Sequence, residues 1–169
     1  EYSCSGLPSG GSPDSYNEIE AGIQWIGNLS EYCINEETVV IVGHSAGDHL
    51  ALLADIEFPN SDAVAGLGEI TDIVTYAAGT NDCETATLLL RVSAFALAKE
   101  LYQKADPVGL NLHSRSQLFH GTVDSIVNVS QSILANATTS GLTEAGDFDW
   151  VNSGMEAFQL LTGSLEKLF

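Results

Sequence analysis

The chain is 169 residues long, about the size of one domain, and sets 5 Lys+Arg against 23 Asp+Glu for a formal net charge of −18. That acidity excludes phosphate-backbone binding as a main activity, because nucleic-acid proteins need basic surface to displace counterions, and it disfavours docking on anionic lipid. Charged residues are 17% and hydrophobic residues 44% of the chain, so apolar material for a core is ample, while the scarce charge is nearly all negative and repels itself unless salt screens it.

No apolar run approaches the ~20 residues of a membrane helix. Glu1-Tyr2-Ser3 has neither the basic start nor the apolar stretch of a signal peptide. Cys4, Cys33 and Cys83 include no CxxC pair and are odd in number. This argues against a zinc site or a disulfide framework and leaves one disulfide plus a free thiol open. Asn28-Leu29-Ser30, Asn128-Val129-Ser130 and Asn136-Ala137-Thr138 are glycosylation sequons. Together with the acidity they lean toward a soluble protein in a secreted or saline setting.

In chain order, Ser5 to Pro13 is loop chemistry, rich in Gly, Ser and Pro. Ser12 is placed to cap a helix whose first position is Pro13, with Tyr16, Ile19, Ile23 and Ile26 on one stripe. The β-branched run Thr38 to Val42 predicts a strand, followed by Gly43-His44-Ser45-Ala46-Gly47 and a helix with Leu50, Leu53 and Ala54 inward. Asp72 to Ala78 reads as a second strand closed by Gly79, and Thr85 to Lys104 as a helix ended at Ala105-Asp106-Pro107. Gln117 to His120 is a third, short strand, Val127 to Ala137 a helix with Ile133 and Leu134 inward, and Thr139 to Ala145 a weak last strand. A capping box, Ser153 to Glu156, opens a final helix with Phe158, Leu161, Leu165 and Leu168 on its apolar stripe. Strands alternating with helices predict an α/β fold, a mostly parallel sheet with helices on both faces.

Gly43-His44-Ser45-Ala46-Gly47 fits the G-x-S-x-G nucleophile elbow. A serine between strand and helix occupies a strained turn, and glycines two residues to either side let the chain close around it. Its hydroxyl then stands above the sheet, with the Ala46 N–H at the helix start aimed at a developing oxyanion. The β-branched strand before it and the amphipathic helix after it raise the pentapeptide above a chance match.

The longer stretch Gly43 to Leu52 resembles the GHSAGGHLAL block of α/β-hydrolases related to arylformamidases and small carboxylesterases. Ile23 to Asn35 is similar to the helix those enzymes place before the elbow. Leu118 to Val127 resembles their "LIHGTADPVVP" segment, whose aspartate is the acid of the catalytic triad, and Asp124 matches it. Ala145 to Trp150 resembles "GAGHFDW", whose histidine is the triad base. The likeness runs from residue 1 to the end in the family's order of Ser, Asp, His. It implies hydrolysis of a small ester or amide through Ser45, with no cofactor and no metal.

Two departures bear on activity. Asp147 stands at the base position, and an aspartate of pKa near 3.9 is a poor acceptor for a serine proton at neutral pH. Asp48 replaces the second glycine after the nucleophile and is expected to add a negative group that repels the oxyanion. In addition, Glu1-Tyr2-Ser3 resembles a strand that normally comes fourth. Residues 1–169 therefore read as a single, amino-terminally incomplete hydrolase domain without the loop that supplies the other oxyanion donor, and with an open sheet edge for a partner chain or a second copy.

None of the other histidines has the spacing of a triad base. His44 is expected to point away, His49 to pack in the elbow helix, His120 to bond its turn, and His113 lies in a loop of no clear pattern. Trp25 and Trp150 are expected to be packing residues. The resemblance thus implies a serine carboxylesterase-like hydrolase with impaired turnover, and the alternative is an inactive hydrolase-fold subunit acting in binding or assembly.

Overall fold

The computed structural model describes residues 2–4, 8, 10–29, 31–34, 38–57, 61–78, 85–91, 99–112, 115–132, 137–142 and 144–168. Outside them lie Cys83, Gly79, His113, Ile133, Leu134, Ser30 and Asn136 of two sequons, much of the opening loop and residues 92–98 of the expected long helix. Contacts divide the chain into two units, Glu1–Glu37 with Ile73–Asp106, and Thr38–Asp72 with Pro107–Phe169.

The second unit holds the sheet. Four parallel strands, β1 (Val40–His44), β2 (Ala63–Leu67), β3 (Gln117–Gly121) and β4 (Thr138–Leu142), follow one another in the order β1-β2-β3-β4. His44 pairs with Leu67 and Leu67 with Phe119, so β1 and β2 end level while β3 runs two residues further, to Gly121. Successive side chains go to opposite faces. Ala65, Leu67 and Phe119 join Ala145, Trp150, Ala157 and Leu161 on one face. Val64 and Leu118 join Ala51, Leu52 and Leu112 on the other. Helix α2 (Ala46–Glu57) brings Ala51 and Leu52 to the second cluster. Trp150 is fully buried against Phe119, ring centroids 5.5 Å apart.

β2 corrects the sequence reading, which placed the second strand at Asp72 to Ala78. Ala63-Val64-Ala65-Gly66-Leu67 is buried at every position, so neither face shows a polar alternation, and Ala and Gly are poor strand formers. Residues Ile73–Ala78 instead form a helix, α3. Ile73, Val74, Tyr76 and Ala77 share one apolar cluster, a helical spacing that the β-branched run disguises, and the Ile73 N–H is taken by Asp106 Oδ1 at 3.1 Å.

The first unit is helical among the described residues. Helix α1 (Asp14–Trp25) starts one residue later than expected, with Pro13 at its cap and no side-chain bond from Ser12. The expected long helix divides into α4 (Thr85–Leu90) and α5 (Lys99–Lys104). Arg91 ends α4 in the left-handed region, φ 55°. Its guanidinium holds the Pro8 and Gly10 carbonyls and pairs with Asp14 at 3.0 Å. Ile73, Ala86, Leu90 and Tyr102 form this unit's core. Tyr2 to Cys4 are not strand, and Trp25 is 58% exposed rather than packed.

Toward the carboxyl end, the described part of the expected Val127 to Ala137 helix holds a 3-10 turn at Val129–Gln131, capped by the Asn128 side chain. Helix α6 (Glu156–Leu165) begins from Met155 without the expected Ser153 cap, and contributes Ala157 and Leu161 to the first cluster. Cys4 and Cys33 are free thiols. Among the described residues no helix is long and apolar enough to cross a membrane.

Candidate active site

Ser45 sits between β1 and α2 with φ 54°, a left-handed conformation that costs a side-chain-bearing residue on the order of 1–3 kcal/mol. The surroundings hold it there. Its N–H donates to the Leu67 carbonyl at 2.8 Å, and its own carbonyl accepts the Asp48 and His49 N–H groups at 3.0 and 3.3 Å. Gly43 is required, since a Cβ there would collide with the Gly47 backbone. Ala46 is the first residue of α2, where leading N–H groups have no intrahelical carbonyl to bond.

The loops after β2, β3 and β4 converge at the same end of the sheet. Gly121 lies so close to the Ala145 carbonyl that no side chain fits between them, and the Val123 N–H donates to that carbonyl at 3.1 Å. Gly68, φ 59°, faces both carboxylates, for a Cβ there would strike Asp147 Oδ1 and lie 3.6 Å from Asp124 Oδ2. Asp124 Oδ1 accepts the Ile126 and Val127 N–H groups at 2.8 and 2.9 Å. Asp124 Oδ2 and Asp147 Oδ1 are buried and have no hydrogen-bond donor among the described residues. The structure thus brings the Asp124 and Asp147 positions together at the carboxyl end of the sheet, where Ser45 follows β1.

His44 departs from its expected orientation. Its Nε2 reaches the Asp147 main-chain oxygen at 3.1 Å and Oδ2 at 3.3 Å, and its ring lies 5.2 Å from that of Phe148. The hydrogen bond to Asp147 raises the His44 pKa above its ordinary value against the opposing effect of burial.

Asp48 is also corrected. Its side chain is fully buried and turned onto Gly66 and the Ile70 N–H, 3.2 Å from Oδ2. Burial first, and the neighbouring Glu69 second, push its carboxyl well above the usual range, which favours the neutral acid over a further negative charge. His49 packs beneath the elbow as expected. Its Nδ1–H donates to the Ile70 carbonyl at 3.1 Å, and burial takes its pKa down to about 4.

Sequence reasoning missed Glu69. It lies just beyond a strand that the sequence conceals, fully buried, with Oε2 2.5 Å from His120 Nδ1. Among the described residues no group of three or more His, Cys, Asp or Glu side chains is arranged to hold a metal ion.

A parallel sheet, helices on its faces and a left-handed serine between strand and helix define the class of an α/β-hydrolase. The BD-FAE family profile matches residues 2–138, and the chain belongs to that family of esterase-like α/β-hydrolases. No curated protein matches the sequence. Among solved structures, the chain is similar to a truncated form of a carbohydrate esterase from gut microbiota, with 17% identity over 94% of this chain and 69% of that one, TM-score 0.78. It also resembles esterase B from Lactobacillus Rhamnosis, with 18% identity over 96% of this chain and 62% of that one, TM-score 0.71. An acylaminoacyl peptidase from Pyrococcus horikoshii shares 15% identity over 91% of this chain and 27% of its own length, TM-score 0.73.

Proposed function

We propose that the chain is a serine carboxylesterase-like hydrolase of small esters or amides whose turnover is strongly reduced by Asp147. The left-handed conformation of Ser45 at the end of β1 is the observation that carries this reading. Ser45 Oγ is the nucleophile, the Ala46 N–H an oxyanion donor, and Asp124 the acid that orients a base. Asp147 occupies the base position with one oxygen engaged by His44. A carboxylate is a weak acceptor for a serine proton, and loss of the base leaves only about 10³–10⁴-fold over water from the rest of the apparatus. The BD-FAE match and the esterases among the similar structures support an ester as the substrate class.

The test is hydrolysis of p-nitrophenyl acetate by the native chain and by Ser45→Ala. A slow rate that disappears in Ser45→Ala is expected. A native rate that survives Ser45→Ala removes the serine from the mechanism.

The second reading, an inactive subunit used in binding or assembly, draws on the same Asp147 and on the position of β1 at one end of the strand order with Val42 47% exposed. Light scattering distinguishes it, since that reading requires a stable complex.

A further inference from the structure

We propose that His120 is a positioning residue, an imidazolium clamped between Glu69 and Asp124 that holds the Asp124 loop in its working geometry. The protons can be assigned from the partners. His120 Nε2 lies 3.0 Å from the Val127 carbonyl, which only accepts, so Nε2 carries a proton. Nδ1 lies 2.5 Å from Glu69 Oε2, so a proton lies between them, and the greater basicity of an imidazole than of a carboxylate assigns it to the ring. Ser132 Oγ stands 2.8 Å from Glu69 Oε2 and 2.7 Å from Nδ1, and its single proton goes to the carboxylate. Both ring nitrogens therefore donate, and the ring is charged.

That charge is countered on two sides, by Glu69 from the loop after β2 and by Asp124 Oδ2 at 3.3 Å from the loop after β3. Asp48 of α2 bears on the cluster through its electrostatic interaction with Glu69. Burial, the largest single effect, would drive the imidazole neutral, but the hydrogen bond and charge of Glu69, the bond to the Val127 carbonyl and the charge of Asp124 together outweigh it, and the net displacement is upward. The ring holds the loop by its hydrogen bond to the Val127 carbonyl and by charge attraction to the Asp124 carboxylate. Asp124 in turn holds the Ile126 and Val127 N–H groups. Movement of the ring therefore moves the carboxylate.

The catalytic meaning of this clamp rests on Asp124 being the triad acid, but the charge state of His120 does not. The two claims fail separately. The experiment records ring-nitrogen and backbone-amide spectra of the ¹⁵N-labelled full chain from pH 5 to pH 9. His120 is expected to be protonated on both nitrogens at neutral pH and to titrate above the ordinary 6.5, with the Ile126 and Val127 amides shifting at the same midpoint. Glu69→Gln is expected to lower that midpoint by about one to three pH units, and Asp124→Asn by less.

A single protonated ring nitrogen at pH 6.5, or a midpoint at or below that pH, overturns the charged clamp. Amides of Ile126 and Val127 that ignore the midpoint overturn the positioning role. Should Glu69→Gln not fold, the native spectra decide both points.

Discussion

His49, on the first turn of α2, and His120, in β3, are both under 2% exposed. Burial nevertheless takes the first down to about 4, while the second is held above its ordinary value. Their surroundings differ in one respect. His49 meets the Ile70 carbonyl through Nδ1 and has no partner at Nε2 among the described residues, so the neutral ring satisfies every bond they offer. His120 meets Glu69 at one nitrogen and the Val127 carbonyl, with Asp124, at the other. Low exposure therefore does not fix a histidine's charge, and the partner within hydrogen-bond reach decides its sign.

The strongest way to break this contrast is to remove the counter-charge. Glu69→Ala leaves a buried imidazolium facing only Asp124 and is expected to cost about 3–5 kcal/mol in urea unfolding at pH 6. His120→Leu in the same background should recover part of that loss, because no charge is then left buried.

The second largest effect is a pH dependence. His49 binds its proton at about pH 4 when folded and near 6.5 when unfolded. Between those values the unfolded chain binds more protons, so the contribution is complete above 6.5 and is lost as pH falls toward 4, about 3 kcal/mol in all. His120 acts in the opposite sense, stabilising fully below 6.5 and losing its contribution as pH rises through its elevated value. Urea midpoints of the native chain, His49→Gln and His120→Gln across pH 4–9 separate the two limbs.

Asp48 supplies a smaller effect. Its carboxyl is raised in the fold, so its contribution is present at low pH and lost as pH rises. Asp48→Asn keeps an acceptor for the Ile70 N–H and is expected to raise the urea midpoint at pH 8 more than at pH 5. Smallest is Ser132→Ala, which removes one donor to Glu69 and should cost about 1 kcal/mol.

Where the sequence was legible, pattern and packing agreed. β1 draws on the β-branched run before the glycine-flanked serine, though it spans Val40–His44 rather than the expected Thr38 to Val42, and the turn at Ser45 lies where that pattern puts it. Asp124 and Asp147 could be located because the residues around them match a family's motifs. β2 could not be read, since a strand buried on both faces and built of Ala, Val and Gly has neither alternation nor bulk. With β2 hidden, Glu69 had no address, and the Glu69–His120–Asp124 contacts could not be foreseen from residues 51 positions apart. Asp48 was misjudged for a related reason, because adjacency to Ser45 in sequence says nothing of a side chain turned under Gly66. His44 likewise reaches Asp147 across 103 residues of chain.

The measurement that bears most directly on the account is Ser45-dependent hydrolysis of p-nitrophenyl acetate by the native chain and by Asp147→His, side by side. On the proposed mechanism, in which Ser45 attacks and residue 147 is the base position, Asp147→His is expected to raise kcat/KM by at least ~100-fold, the lower end of what a positioned general base supplies. A native chain that already turns over as fast as Asp147→His, with activity lost in Ser45→Ala, would contradict the claim that residue 147 limits this site.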